Sequence, residues 1–440
     1  MQDYFHIIAD FIGSLLQGQE IYTCAFTGEI SDFVRFNRAK IRQAGRVTQH
    51  HMNLDLIEGR HHAAVTLTLA GDLELDRPRI RQLIGELREI RAQTPEDPFL
   101  LYATEVRSSE QAYTDDLPAG LEMASQILAT ARGYDLVGIH ASGATYAGFA
   151  NSFGQRNWHS CSSFNLDWSL YSHADKAIKT RYAGFHWDPS EFTARLERAA
   201  EQLQTLARPA HNLQPGFYRA YLAPAALEEI MDLLGWGGFG LRDHRTGNTP
   251  LLRMIESGAC LNPQLNVTEN NAAGIAPNFE AAGFIRPPQV NLIEAGFYKD
   301  CLVSSRSAAE YGVSGNGADS HEIPLSLDVA PGDLAQSDML KTLDTGLYIG
   351  NLWYLNYSDR NAARLTGMTR FATFWVEDGY IRAPINVMRF DETLYNLLGD
   401  SLLGLTRERE ILFDSNSYGR RSKRSARLPG ILVSDMRFTL

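Results

Sequence analysis

Cysteine and long apolar runs are scarce in this chain. Its 440 residues include 4 cysteines with no close pair, so their spacing indicates neither a metal knuckle nor a redox-active Cys-x-x-Cys. Dispersed cysteines are typical of a reducing compartment. No apolar run approaches the roughly 20 residues that span a bilayer, and residues 1–10 lack the basic start of a signal peptide. These absences predict a cytoplasmic protein with no membrane partner.

Positive charge is also in deficit. The chain has 41 Lys and Arg against 52 Asp and Glu, a net charge of −11, which gives no overall basic field for nucleic acid. The exception is the segment 420–427, whose basic side chains could bind phosphates in a salt-sensitive, non-specific way. Its position before Pro429 and a terminal strand pattern predicts instead a mobile surface loop.

Signatures of catalysis are missing as well. The chain has no Gly-x-Ser-x-Gly nucleophile elbow. A zinc peptidase helix needs two histidines one turn apart, with a glutamate between them as general base. The only His-Glu pair is His321-Glu322, and Pro324 would break the helix that such a site requires, so we expect a loop there. Residues 235–240 fit Gly-x-Gly-x-x-Gly, but a helical pattern precedes them, which predicts a C-terminal cap at Gly235 instead of a cofactor loop.

Two pairs of adjacent histidines are candidate ligands for a metal ion. His50-His51 and His61-His62 lie on strand patterns that are joined by a turn at residues 58–60, so imidazoles on one face could approach each other. Adjacent strand residues point to opposite faces, however, and each pair then supplies one histidine per face. Exposed strand histidines are the favoured interpretation, with a metal site as the alternative.

The patterns that are present predict an α+β protein of two domains, because 440 residues exceed one simple core. The helical pattern over 189–207 has Asp188 as N-cap and Glu191 to complete a capping box, and prolines end it. We predict an α/β N-terminal domain over 1–208 and a β-rich C-terminal domain over 209–440. The strand patterns of the first domain cover 20–26, 32–37, 49–56, 62–69, 134–140, 146–151 and 158–166.

The second domain begins with a helical pattern near residues 225–234. Its carboxylates Glu228, Glu229 and Asp232 could gather a hard cation such as Mg²⁺ or Ca²⁺. A solvated acidic face is the favoured interpretation, because apolar residues occupy the opposite side of the helix. Those apolar residues are Leu227, Ile230 and Leu234.

Residues 344–386 carry the most informative pattern. Two strand-like apolar runs flank a polar loop, and Glu377-Asp378-Gly379 supplies a tight turn into a third strand. This pattern resembles the C-terminal domain of the TldD/PmbA (TldE) family of metallopeptidase-related proteins. Further segments resemble that family in the same order along the chain. They are residues 27–43, 151–154 and 283–315.

The resemblance implies a function. The family divides by a His-Glu-x-x-x-His zinc helix, which TldD-type members have and TldE/PmbA-type members lack; in family order it would fall near residues 225–234, where this chain has no histidine. The implied protein is a non-catalytic TldE/PmbA-like subunit of a zinc metallopeptidase that trims or matures unfolded peptides. Zinc is then expected in a TldD-type partner and no cofactor in this chain. A homodimer is the alternative assembly in isolation.

Aromatic residues at alternating strand positions could line a groove that holds an extended peptide. Packing in a β-domain core is the competing interpretation. The residues predicted to contact a peptide or the partner are Asn351, Trp353, Tyr354, Asn356 and Phe374. Two other functions stay open: an autonomous metallohydrolase that uses the paired histidines, and a peptide- or nucleic-acid-binding regulatory protein.

Overall fold

The computed structural model of the protein describes residues 1–113, 117–172 and 176–439. Mixed helices and strands confirm the α+β class. The first half has long strands and long helices. Their bounds are α1 Gln2–Ser14, β1 Ile21–Asn37, β2 Lys40–Glu58, β3 His61–Leu69, α2 Leu73–Arg91, β4 Ser109–Tyr113, α3 Gly120–Thr130, β5 Asp135–Asn151, β6 Arg156–Tyr171, β7 Ala177–Gly184 and α4 Pro189–Leu206.

The second half has shorter elements. Its helices are α5 Pro224–Gly235, α6 Leu241–Arg245, α7 Leu252–Ser257, α8 Ser305–Tyr311 and α9 Met339–Leu343, with a 3₁₀ turn at Gln336–Asp338 and a π-helical turn at Asn396–Asp400. Its strands are β8 Gly216–Leu222, β9 Val267–Glu269, β10 Val290–Glu294, β11 Phe297–Tyr298, β12 Ser326–Val329, β13 Gly346–Ile349, β14 Leu352–Asp359, β15 Arg364–Thr369, β16 Thr373–Glu377, β17 Tyr380–Pro384, β18 Arg389–Thr393, β19 Leu402–Phe413 and β20 Ser425–Phe438.

The first sheet has seven strands in the order β3-β2-β1-β5-β6-β4, with β7 also paired to β6. The hairpin of β2 and β3 forms as predicted. β1 is one continuous strand where the sequence predicted two, over 20–26 and 32–37. The difference arises because the residues between those two patterns pair with β2 on one side and β5 on the other. A strand that is hydrogen-bonded on both sides tolerates a polar interruption in its pattern.

The second sheet has thirteen strands, and its longest path runs β11-β10-β9-β12-β20-β8-β13-β16-β17. β12 and β20 are parallel, as are β8 and β13, while β19 pairs antiparallel with β20. Helix α5 packs its apolar side into the core of this sheet through Leu227, Ile230 and Leu234. It ends at Gly235 with Trp236 as its C-terminal cap, one residue later than predicted. Among the described residues no helix is both long and apolar enough to cross a bilayer.

Helix α4 begins where the sequence predicts, but its capping differs. The Asp188 carboxylate accepts a hydrogen bond from the Ser190 N–H at 2.8 Å. The predicted capping box is wrong, because the Glu191 carboxylate instead pairs with Arg195 at 2.7 Å, one turn along the helix. Because its carboxylate is used in this i,i+4 ion pair, Glu191 does not cap the helix, and Asp188 supplies the side-chain cap.

The two sheets share a hydrophobic cluster. Phe374 of β16 is fully buried in a cluster that also contains Trp168 of β6 and Phe192 of α4. Beyond α4, the His211 N–H donates to the Pro384 carbonyl at 2.8 Å, so the connecting segment is fixed to β17. The division into domains 1–208 and 209–440 stays a prediction.

We expect Phe374→Ala to lower the free energy of unfolding by roughly 3–5 kcal/mol, the usual cost of truncating a buried phenylalanine. Tyr354→Ala is the control, because that side chain is 78% exposed and its loss should cost far less. Urea unfolding followed by circular dichroism measures both. A small loss for Phe374→Ala would mean that the shared cluster does not couple the sheets.

Candidate functional site

A groove of about 260 Å³ lies beside the start of β14. We call it the Trp353 groove. Among the residues that the structure describes, its lining combines aromatic and aliphatic side chains with two cations and no carboxylate. The lining residues are Lys176, Ala177, Leu206, Trp353, Thr369, Arg370, Phe371, Thr373, Ile385, Asn386 and Val387.

A β-bulge in β14 shapes one wall of the groove. Trp353 is opposite Met368 and Asn356 is opposite Thr366, so two residues of β14 face the single residue Gly367. A side chain at Gly367 would approach the Leu355 side chain to 2.6 Å, which explains the glycine. Within the bulge Tyr354 has a φ of 57° and is 78% exposed. Bulges of this kind redirect side chains at sheet edges and functional sites.

A strained turn at Arg370 and Phe371 also lines the groove. Phe371 has a φ of 61°, a left-handed conformation that is unfavourable for a bulky residue. The turn places the Arg370 guanidinium 4.3 Å from the centroid of the Trp353 ring. Strained non-glycine residues persist only where the surroundings enforce them, and they cluster at functional sites. Phe371 is such a residue in the lining of the groove, and Tyr354 is another, next to Trp353 in the chain.

The structure separates the five predicted contact residues into two groups. Trp353 is 41% exposed, Tyr354 is 78% exposed, and Asn356 is also exposed. Asn351 is 3% exposed and Phe374 is fully buried, so neither side chain can meet another molecule directly. Contact with a peptide or partner stays a prediction, carried by the three exposed residues.

Sequence reasoning missed Arg370 and Lys176. No spacing rule identifies them, because Arg370 reaches Trp353 only through the pairing of β14 with β15. Lys176 comes from the distant end of the first sheet, just before β7. The signal that was available, an aromatic-rich run around residue 353, indicated the position of the groove but not its charge.

Helix α5 corrects another expectation. Its acidic face is only partly solvated: Asp232 is exposed, whereas the Glu228 carboxylate is buried and forms an ion pair with Arg181 of β7. Arg181 also pairs with Asp167 of β6 at 3.3 Å. Burial raises the pKa of Glu228, and the Arg181 guanidinium opposes that rise. One turn further, Asp232 accepts a hydrogen bond from Arg424 at 2.9 Å. Glu228 and Asp232 of α5 therefore each pair with a guanidinium group.

The prediction of a mobile surface loop at residues 420–427 is wrong. Arg421 is buried and donates hydrogen bonds to the Gly143 carbonyl and the Ser163 hydroxyl, at 3.1 and 2.8 Å. Lys423 donates to the Tyr146 carbonyl at 2.9 Å. The segment is thus an ordered connection that docks on the first sheet, and its charges are engaged within the protein.

The paired histidines lie far apart. His51 is opposite Thr68 and His61 is opposite Glu58, so seven positions along β2 separate the pairs, roughly 23 Å at 3.3 Å per residue. His50 is 4% exposed, so its interpretation as an exposed strand histidine is wrong. His62 lies 3.0 Å from the Asp55 carboxylate. The two pairs therefore do not form one site.

The loop predicted at His321-Glu322 is confirmed. These residues lie in a turn, where the buried Glu322 carboxylate accepts hydrogen bonds from the Ser304 N–H and hydroxyl, both at 2.9 Å, and from the Arg242 N–H at 2.9 Å. Glu322 thereby accepts hydrogen bonds from backbone N–H groups at the starts of both α8 and α6. Among residues 1–113, 117–172 and 176–439, no group of three or more His, Cys, Asp or Glu is arranged to hold a metal ion.

Solved structures share this fold over almost the whole chain. TldE from Thermococcus kodakarensis matches with a TM-score of 0.78 at 13% identity, covering 99% of this chain and 100% of its own. A candidate modulator of a DNA gyrase from Thermotoga maritima gives 0.77 at 13% identity, with 99% and 100% covered. A similar protein from Bacteroides thetaiotaomicron gives 0.74 at 14% identity, with 99% and 98% covered. At these identities the likeness establishes the fold.

The fold thus defines the structural class that includes TldE. The family model for the PmbA/TldA metallopeptidase C-terminal domain matches residues 215–440, just over half of the chain. The chain belongs to the PmbA/TldD metallopeptidase family, which confirms the resemblance seen in its sequence. No curated protein sequence matches it.

We expect Arg181→Met to extend to higher pH the range over which Glu228 makes stability depend on pH. Without the guanidinium, the folded protein keeps buried Glu228 protonated, while the unfolded chain ionises it above its ordinary pKa of 4.5. The raised folded-state pKa contributes stability that is complete below pH 4.5 and is lost as pH rises. With Arg181 present, burial already raises the pKa of Glu228 to about 8, and loss of the guanidinium raises it further. Relative to the unmodified chain, the variant should therefore lose up to about 1.4 kcal/mol per pH unit as the pH rises above about 8.

The control is Arg181→Met with Glu228→Gln, which removes the titrating group and should remove the added slope. Melting temperatures at pH 6.5, 8 and 9.5 compare the three proteins. Parallel pH profiles for the single and double variants would show that Glu228 is not the group that Arg181 neutralises.

Proposed function

We propose that this chain is a non-catalytic, TldE-type subunit that acts with a TldD-type zinc peptidase in trimming or maturing unfolded peptides. The observation that carries the proposal is the Trp353 groove, where the exposed Trp353 ring lies with Arg370 and the strained residue Phe371. In this proposal the partner supplies the metal and the hydrolysis, and this chain holds the peptide or the partner.

The chemistry of α5 supports the absence of catalysis in this chain. Family order would put the zinc helix here, but α5 presents no imidazole or thiolate. Its carboxylates Glu228 and Asp232 pair with Arg181 and Arg424. A divalent cation would have to displace these guanidinium groups and would be repelled by them. The residues present therefore do not fit zinc.

The geometry of β14 supports peptide or partner binding. Within the described part of the chain β14 pairs with β15 alone. A strand of this kind can accept an extended segment through main-chain hydrogen bonds, while a neighbouring groove takes a side chain. Arg370 stacks on Trp353, and tryptophan and arginine are among the residue types that contribute most to binding energy at interfaces.

The alternative functions have less support. An autonomous metallohydrolase would need the paired histidines to converge, and they lie at opposite ends of the β2–β3 hairpin. A nucleic-acid-binding role would need a free basic surface at 420–427, whereas Arg421, Lys423 and Arg424 each form hydrogen bonds with acceptors of the protein itself. Neither alternative has an observation in its favour.

We expect Trp353→Ala to weaken the affinity for a TldD-type partner at least tenfold, about 1.4 kcal/mol, because large aromatics dominate interface energies. Its melting temperature should change little, since Trp353 is 41% exposed. Isothermal titration calorimetry against the partner measures the affinity. Phe297→Ala is the matched control, an aromatic residue that is 56% exposed on the distant strand β11. Unchanged affinity in Trp353→Ala would refute the assignment of the groove.

The purified chain alone is expected to retain no stoichiometric zinc after dialysis and to cleave no unfolded peptide. The physical reason is the set of guanidinium groups that face the carboxylates of α5. Elemental analysis and a casein-fragment assay, with and without chelator, test both statements. Chelator-sensitive cleavage by this chain alone would overturn the proposed division of labour.

A further inference from the structure

A second cavity, of about 370 Å³, lies on the second sheet among side chains of β9, β10, β12, β19 and β20. We call it the Asp328 cavity. Its volume is within the range of small-molecule sites, about 300–1,000 Å³. Five of its lining side chains are carboxamides or a hydroxyl, and none of the lining residues that the structure describes is aromatic. These five are Asn266, Thr268, Asn270, Gln289 and Asn291.

Strand pairing builds the floor of this cavity. Thr268 of β9 is directly opposite Asn291 on one side and Asp328 on the other, and Asp328 is in turn opposite Arg427 of β20. Directly opposed residues in neighbouring strands project from the same face of a sheet. Four strands thus contribute one continuous row of hydrogen-bonding side chains.

Asp328 orients two arginines at one end of the row. Its buried carboxylate forms ion pairs with Arg409 and Arg427 and accepts a hydrogen bond from the Asn270 amide at 3.0 Å. Arg427 uses its Nε and Nη2 for Asp328, and Arg409 uses its Nη1 for Asp328 and the Val329 carbonyl. Each guanidinium therefore keeps N–H donors beyond those that Asp328 occupies.

The two arginines leave a surplus of positive charge at this end of the row. Two guanidinium groups share one carboxylate, and within the described residues neither arginine pairs with another. The other acid of the lining, Glu294, is matched by Lys299 at 2.9 Å. One positive charge is thus uncompensated, in a chain whose net charge is −11. An arginine held by a buried carboxylate is well suited to planar, bidentate recognition of an anion.

We propose that the Asp328 cavity binds a small anionic ligand, with Arg409 and Arg427 gripping a carboxylate or phosphate group and the amides of β9 and β10 holding its polar remainder. Both kinds of group present the oxygen acceptors that two oriented guanidinium groups recognise. This site is separate from the Trp353 groove: the two share no lining residue.

The test uses the full chain and two probes, inorganic phosphate and citrate, in isothermal titration calorimetry at low salt. We expect saturable binding of at least one probe, and the preferred probe distinguishes a phosphate ligand from a carboxylate ligand. Arg409→Gln and Arg427→Gln should each weaken that binding at least tenfold. Each leaves the other arginine on Asp328, so the buried carboxylate keeps a partner and the fold should hold, as melting temperatures will check.

Arg407→Gln is the matched control. Arg407 lies two residues before Arg409 on β19, donates to the Asp333 carbonyl at 3.2 Å and is outside the cavity lining. It should bind the probe as the unmodified chain does. No saturable binding of either probe overturns the proposal. So does wild-type affinity in both Arg409→Gln and Arg427→Gln, or an equal loss in Arg407→Gln, which would indicate surface charge alone.

Discussion

The docking of Arg421 against the first sheet is the interaction on which the arrangement of the charged sites depends. Its guanidinium is buried and donates to Gly143 and Ser163, while its backbone N–H faces Glu29. Burial lowers the pKa of Arg421, and the charge of Glu29 opposes that effect. A guanidinium stays protonated in proteins, so its donors must find acceptors when it is buried. The connection between β19 and β20 therefore has a fixed position.

That position determines two other sites. Three residues after Arg421, Arg424 reaches Asp232 on α5, and after three more, Arg427 reaches Asp328 in the second cavity. One ordered segment thus ties the first sheet, the α5 helix and the Asp328 cavity together. Buried ion pairs often add little net stability compared with apolar packing, but an unpaired buried charge is costly. We infer that the main effect of this segment is to fix the position of β20 relative to the first sheet.

Local signals in the sequence predicted local structure well. Asp188 and Pro189 indicated the start of α4, the turn at 58–60 indicated the β2–β3 hairpin, and Pro324 indicated a loop at His321. Features that depend on distant partners could not be predicted. The position of residues 420–427 before Pro429 and a terminal strand pattern suggested a mobile surface loop, because nothing nearby in the sequence indicates Gly143 and Ser163 as acceptors. Likewise, the aromatic run identified Trp353, but the bulge at Tyr354 arises from the register of β14 on β15.

In our proposal, the ion pairs of α5 explain how this helix can form without a metal ion. A zinc site at this position would place positive charge against the helix; here Arg181 and Arg424 place guanidinium charge against Glu228 and Asp232 instead. The helix keeps its apolar side in the core through Ile230 and its neighbours, so its packing does not need the metal. In our proposal the two guanidinium groups take over the electrostatic role of the cation. Introducing histidines into α5 would then not suffice to create a metal site, because the arginines would still repel the ion.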